Sequence, residues 1–338
     1  MDSVVFSVGS GVANSFFGNS QEPIKMIVEK KVEEHEQMSA RPKLFKEVKS
    51  KNFAEKFTSR TALDDFLPVG EAGTYPTASI EEGYSRVIYP ETWKNRFIVT
   101  KEMIEDKKNI DISSSAIGFT QSFGRTTEKF AASLFAHGTN KTIKLGRKTY
   151  DIACADGKAM FAEDHPRKDG GTAQSNKFKD EFSLDVLSAM ETAMQNFKDD
   201  KGNILSIAPD TIIIPNDYKL KKKVFEVIGT DKDPATANNG FNYQFGRWNV
   251  IVWAYLTDIK GAATGKTPFI LGDSKFNKTY GGAIWIDRVP LSVHSYLDEN
   301  NDNNVWNGRA RFGAGFNDWR AFAIGGMSAG TQLISASA

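Results

Sequence analysis

The chain has 338 residues, 40% of them apolar and 25% charged, which is the balance of a globular protein long enough to bury a large core. A formal net charge of +1 argues against a dedicated nucleic-acid binder, and a single Cys154 excludes an internal disulfide. No apolar run approaches the roughly 20 residues of a membrane span, and the opening MDSVVFSVGSGVANSFFG, with Asp2 and no basic residue, does not read as a signal peptide.

Residues 1–20 are rich in Gly, Ser and Asn with scattered Val and Phe, the pattern of an extended arm that needs a partner surface. With Met1 present, no front segment is expected to have been lost. Pro23 then opens a helical stretch in which Ile24, Ile27, Val28, Val32 and Met38 recur at helical spacing. RPKLFKEVKSKNFAEKFTSR (41–60) carries a net charge of +5. ALDDFLPVGEAGTYPTASIEEGYSRVIYPE (62–91) carries −5, has no helical period, and alternates turn formers with β-formers, so it reads as a long irregular β-hairpin. Trp93–Ile104 is expected to run from strand into helix.

A helix of some 25 residues follows, with Asp111 and Ser113 as candidate caps and Ile112, Ala116, Phe119, Phe123, Phe130 and Leu134 along one face; His137 and Gly138 end it. Short strands lead to the polar loop AEDHPRKDGGTAQSNK. Ser183 caps a second helix, TIIIP (211–215) reads as a buried strand, and a third helix covers Asp217–Ile228. Strands are expected at Asn249–Tyr255, Phe269–Leu271, Ala283–Ile286, Val289–Tyr296 and Arg309–Ile324. The outline is α+β.

Several fragments imitate catalytic chemistry and fail. GAATGKT (261–267) has three residues where a phosphate loop needs four, and a strand rather than a helix follows it. Gly326-Met327-Ser328-Ala329-Gly330 matches a nucleophile elbow, but no acid or histidine follows Ser328, and the segment reads as a flexible C-terminal tail. His35-Glu36 lacks its second zinc ligand and reads as a solvated helix face; DENNDNN (298–304) lacks the glycine and glutamate of a calcium loop. Glu163-Asp164-His165 is explained by a polar loop, and the lysines at 219 and 221–223 by the wet side of a helix. No catalytic residue, cofactor site or metal site is expected, and the chain is not expected to be an enzyme.

The segments DDFLPVGEAGTYP (64–76), YPETWKNRFIVTKEMIEDK (89–107), YDIACADGKAMFAEDHP (150–166) and DTIIIPNDYKLKKKVFEVIG (210–229), in this order, resemble the major capsid protein of tailed double-stranded DNA phages. The likeness covers roughly residues 45–325, and the local sequence is closest to the head subunits typified by phage Mu. The resemblance implies a Hong Kong 97-like capsid fold. Residues 1–61 would be an N-terminal arm and 62–98 an extended loop across a neighbouring subunit. Residues 99–203 would start the peripheral domain, with its spine helix at 111–138. Residues 204–288 would form the axial domain, 289–326 return strands of the peripheral domain, and 327–338 a tail.

The resemblance further implies self-assembly into pentamers and hexamers of an icosahedral shell around packaged DNA. A portal protein and a scaffold would be partners, DNA contact would be weak and non-specific, and there would be no membrane partner. Assembly would take place in the bacterial host cytoplasm and the product would be the virion capsid. The alternative is an encapsulin-like compartment around a cargo enzyme.

Interface residues would be Phe16, Phe17, Lys43, Lys46, Lys49 and Lys51 in the arm, with Asp64, Asp65, Glu71, Tyr75, Glu81, Glu82, Tyr84 and Tyr89 in the loop. The acidic hairpin of one subunit is expected near the basic arm of another, setting register. Some members of the fold weld their shells through a loop lysine; residues 61–93 contain no Lys, so no such network is expected.

Overall fold

The computed structural model describes residues 5–6, 15–60, 66–71, 73–77, 82–106, 109–146, 148–232 and 241–334. In chain order the first elements are β1 (Val5–Phe6), α1 (Ser15–Met38), α2 (Arg41–Leu44), β2 (Lys46–Lys49), β3 (Glu55–Arg60), β4 (Glu82–Ile88), β5 (Glu91–Val99), α3 (Lys101–Glu105) and α4 (Asn109–Ala136). There follow β6 (Thr142–Leu145), β7 (Lys148–Asp151), α5 (Leu184–Gln195), β8 (Thr211–Pro215), α6 (Tyr218–Ile228), β9 (Asn249–Trp253), β10 (Phe269–Gly272) and α7 (Ser274–Tyr280). The chain closes with β11 (Ala283–Asp298), β12 (Asn303–Phe316), a 3₁₀ turn at Trp319–Ala321 and β13 (Phe322–Gly325).

Local chemistry sets these boundaries. Ser183 Oγ accepts from the Val186 N–H at the start of α5, and the Asp217 carboxylate accepts from the Leu220 N–H at the start of α6. Asp273 accepts from two amides of α7, which Gly281 ends at φ 72°, a left-handed turn that glycine adopts without strain.

Two sheets organise the chain. One has five strands in the order β1-β11-β12-β5, with β2 also paired to β11; the other has four, in the order β13-β10-β8-β9. The 28-residue α4 lies on one face of the five-stranded sheet. Phe119 packs over Gly308, where a Cβ would come within 2.2 Å of its ring, and Phe130 packs 5.4 Å from Trp93 and 5.9 Å from Trp285. Near the end of α4, Phe135 touches Phe316 of this sheet at 5.3 Å and Trp253 and Phe322 of the four-stranded sheet at 5.9 and 5.1 Å. One continuous core therefore joins both sheets through the helix.

Several expectations are corrected. Helix α1 begins at Ser15, so residues 15–20 are not an extended arm and Pro23 sits in the third turn. A proline there removes one helical hydrogen bond, a loss that burial of Val28 and Val32 further along the helix offsets. The hairpin's first strand is β3, inside the basic stretch, and it pairs antiparallel with β4 from Glu55↔Ile88 to Arg60↔Glu82. Asp111 and Ser113 lie inside α4 instead of capping it. The strands expected at 283–286 and 289–296 are one strand, β11, with irregular register between Asp287 and Ser292 that accommodates Pro290. The single strand expected at 309–324 is instead β12, the 3₁₀ turn and β13, and β13 pairs with β10 in the other sheet.

The segment after β13 is not a flexible tail. Met327 is buried and its N–H donates to the Phe178 carbonyl; Thr331 donates to Lys177 and Leu333 to the Asp180 carboxylate. His35 is not on a solvated face: its ring lies over Gly124 of α4, where a Cβ would approach within 2.4 Å. His165 is fully buried and stacked 4.2 Å from Trp319, with Nδ1 2.6 Å from Asp156 and Nε2 3.2 Å from Asn176 Oδ1. It is a structural post of the fold, where a polar loop was expected. GAATGKT does lie in the connection from β9 to β10, with Gly261 and Gly265 at positive φ.

Candidate subunit interface

The hairpin of β3 and β4 rests on the face of the five-stranded sheet opposite α4. Phe57 and Val48 pack against Ile88, Ile284 and Ile286 in a small cluster separate from the main core. Arg86, the one base of β4, anchors it: its guanidinium donates to the Asp151 carboxylate at 2.8 Å and to the Asp151 carbonyl at 2.7 Å. Burial pushes the Asp151 carboxyl up, but the bonds from Arg86 and the Ala153 N–H outweigh this and hold it below its ordinary value. Lys148 pairs with Glu91 beside this anchor.

The sign of the Asp151 shift sets a pH window. A lowered folded-state value contributes stability above the unfolded value, near pH 4, that is lost as pH falls through the folded one. Arg86→Gln is therefore expected to speed hydrogen exchange across Glu82–Ile88 at neutral pH and to remove a loosening step that the unaltered chain shows only below about pH 4. Equal exchange in both proteins at pH 7 would remove Arg86 as the anchor.

Beyond its base the hairpin has no regular pairing in its described part. Gly73 donates to the Gly70 carbonyl in a turn, while Phe66, Leu67, Val69 and Tyr75 are 104%, 62%, 51% and 91% exposed. Burying such side chains is worth about 1.5–3 kcal/mol each, so this loop presents apolar surface that its own chain does not cover. A second exposed set, with Phe241, Tyr243, Phe245 and Val252, lies at and before edge strand β9 of the four-stranded sheet. The loop that holds it is tied down by Glu191, which accepts from Gln244 at 2.7 Å and Arg247 at 2.6 Å.

The junction of α1 and α2 is locked from beneath. Glu128 of α4 is buried and accepts from Trp253 Nε1 at 2.6 Å, from the Arg41 N–H at 3.3 Å and from the Ser39 hydroxyl. The Arg41 guanidinium lies 4.7 Å above Trp285 and pairs with Glu47 at 2.9 Å.

The expected interface residues divide accordingly. Glu71, Tyr75 and Tyr89 are exposed on the hairpin, with Tyr89 5.8 Å from Phe53. Lys43, Lys49 and Lys51 are exposed, whereas Lys46 donates to the Thr279 carbonyl within the chain. Tyr84 is partly buried, which pushes its hydroxyl above the ordinary value, and Lys168 lies 5.2 Å over its ring. Asp64, Asp65 and Glu81 lie outside the described residues; Phe16, Phe17 and Glu82 start elements whose side chains there are also outside them. The sequence reading missed Arg86, Glu128 and the apolar tip formed by Phe66, Leu67 and Val69. A lone base amid six acids and an uncompensated apolar run were the signals available.

Other chemistry is sparse. Among the described residues no group of three His, Cys, Asp or Glu side chains could hold a metal, and no helix is long and apolar enough to cross a membrane. Burial pushes the Cys154 thiol well above its ordinary value, so it behaves as a core residue.

The family model described as phage capsid protein matches residues 83–325. A chain of Microbacterium phage Oxtober96 superposes with a TM-score of 0.50 at 12% identity, over 87% of this chain and 91% of its own. A chain of the virus-like particle from Pyrococcus furiosus gives 0.48 at 12%, over 90% and 97%, and one of the bacteriophage JBD30 procapsid gives 0.45 at 13%, over 93% and 77%. No curated protein sequence matches. The first superposition shows a shared fold, the α+β, Hong Kong 97-like architecture expected from the sequence. With the family model matched over more than half of its length, the chain belongs to the phage capsid protein family.

Proposed function

We propose that this capsid shell protein is the major head subunit, that it closes as pentamers and hexamers into an icosahedral shell around double-stranded DNA, and that it does no chemistry itself. The observation that carries this reading is the uncovered apolar loop tip at Phe66, Leu67, Val69 and Tyr75, which a neighbouring copy would bury. The second apolar set near Phe241 and Val252 supplies a surface for contacts around the five- and six-fold axes, in the axial unit expected at 204–288. The exposed Lys43 and Lys51 remain available to acids of a neighbour's hairpin, at the modest energies of surface pairs. A portal and a scaffold, and assembly in the host cytoplasm before release as virions, complete the reading. The family match favours it over a cargo compartment. Particles recovered from a producing cell are expected to protect duplex DNA from nuclease; particles holding a cargo protein and no DNA would overturn the reading.

A further inference from the structure

We infer that the pocket at the base of the hairpin receives the acidic loop of a neighbouring copy, with Arg311 bonding the carboxylate of that copy's Asp64 or Asp65; this rests on the head-subunit reading above. The pocket, of about 740 Å³, lies between β4, the β6–β7 hairpin and the end of β12 beyond its pairing with β5. Two glycines of β12 shape it. Gly313 and Gly315 let the hairpin come down on the sheet: a Cβ would meet the Tyr89 carbonyl at 2.7 Å and Ile88 at 3.1 Å. Two residues earlier on the same face stands Arg311, across from Thr92 on β5 and Val289 on β11.

The charges of the pocket leave Arg311 over. Three bases and two acids line it; Arg86 bonds Asp151, and Lys148 pairs with Glu91. Arg311 is partly buried, its Nε is buried with no hydrogen-bond partner, and no described residue pairs with its guanidinium. A guanidinium drawn part-way out of water without an acid has lost hydration and gained no partner. A carboxylate brought by another chain supplies that partner, in the two-bonded fork that arginine favours.

The rim selects a peptide over a bare anion. Phe53 and Tyr89 meet edge to face at 5.8 Å and are 72% and 54% exposed, and Val87 on the same rim is 39% exposed. A duplex phosphate would leave these apolar groups in water. The chain itself holds a segment with both parts: Asp64 and Asp65 directly precede Phe66 and Leu67, which their own subunit leaves exposed. That tip does not fill its own pocket. Strands β3 and β4 run about 20 Å from Ile88, at the pocket, to Glu82, and none of Phe66, Leu67 or Val69 lines it. A surplus cation under an apolar rim and an acidic, apolar loop are therefore complementary between two copies.

The test is a double-mutant cycle on assembly of the full chain, produced with the scaffold and portal proposed for it. The readout is the concentration of subunits left outside closed shells. Arg311→Gln, and separately Asp64→Asn with Asp65→Asn, should each raise that concentration roughly 10-fold or more, the value of a lost bond to a charged group. Combining them should raise it no further than either alone, because the same pair is removed. An unchanged concentration in either variant overturns the assignment, as do effects that multiply, which would mean that Arg311 meets another anion such as a duplex phosphate or a scaffold peptide. Should Arg311→Gln fail to fold, Arg311→Lys keeps the charge and puts an amine in the pocket. A carbodiimide added to its shells should join that amine to Asp64 or Asp65 of the neighbouring copy. Cross-links that reach only Glu91 or Asp151 of the same chain, or none, overturn the assignment. Shells that form with any of these contrary results leave the head-subunit reading standing; no shells from the unaltered chain overturn both.

Discussion

Replacing Phe66 and Leu67 together by serine is expected to abolish closed shells while leaving the stability of the isolated subunit within about 0.5 kcal/mol of the unaltered chain. Both side chains are exposed in the single subunit, so folding loses nothing when they are removed. Assembly loses the burial of two large apolar groups, about 3–6 kcal/mol per contact, or roughly 10²- to 10⁴-fold in each contact's equilibrium constant. Because a closed shell repeats that contact at every subunit, the penalty recurs around each ring. Size distribution by light scattering and a urea melt of the subunit would measure the two effects separately. Shells of ordinary yield from the double variant would show that the loop tip is not a contact.

The second large effect concerns folding. Glu128→Ala should destabilise the subunit by roughly 3–6 kcal/mol, since three buried donors lose their acceptor at about 1–3 kcal/mol each, with some relaxation. Those donors belong to two places: Ser39 and Arg41 at the junction of α1 and α2, and Trp253 of the four-stranded sheet. The stretch at Ser39 and Arg41 should loosen first, because Glu128 is the side chain of α4 that accepts from both. Glu128→Gln keeps one acceptor oxygen and should cost less. An unfolding free energy from urea melts that differs between Glu128→Ala and the unaltered chain by under about 1 kcal/mol would contradict the lock.

These expectations rest on contacts that were legible in the sequence to different degrees. Helices α4, α5 and α6 and strand β8 could be read directly, because their apolar spacing and the caps at Ser183 and Asp217 agree with the tertiary packing. Strand β3 could not, since its basic flanks masked the alternation around Phe57, whose apolar partners lie far away at Ile284 and Ile286. The C-terminal segment looked like a tail because its Gly and Ser residues have weak local preferences, and pairing with the distant residues 177–180 and 261–263 holds it in place.

The interface was legible as charge and resemblance, and less so as side chains. Lys46 serves its own fold, and Tyr84 is partly buried under Lys168. The apolar tip, which carries the largest expected assembly energy, was overlooked beside the more conspicuous acids. A polar hub such as Glu128 leaves no sequence signal, because its partners lie 87 to 125 residues away.

The central claim is that this chain builds a closed shell from its own copies. Negative-stain electron microscopy of the full chain, produced together with the scaffold and portal proposed for it and paired with light scattering, tests it most directly. Closed shells, or rings of five and six, are the result expected. A uniform monomer or dimer under those conditions would contradict it.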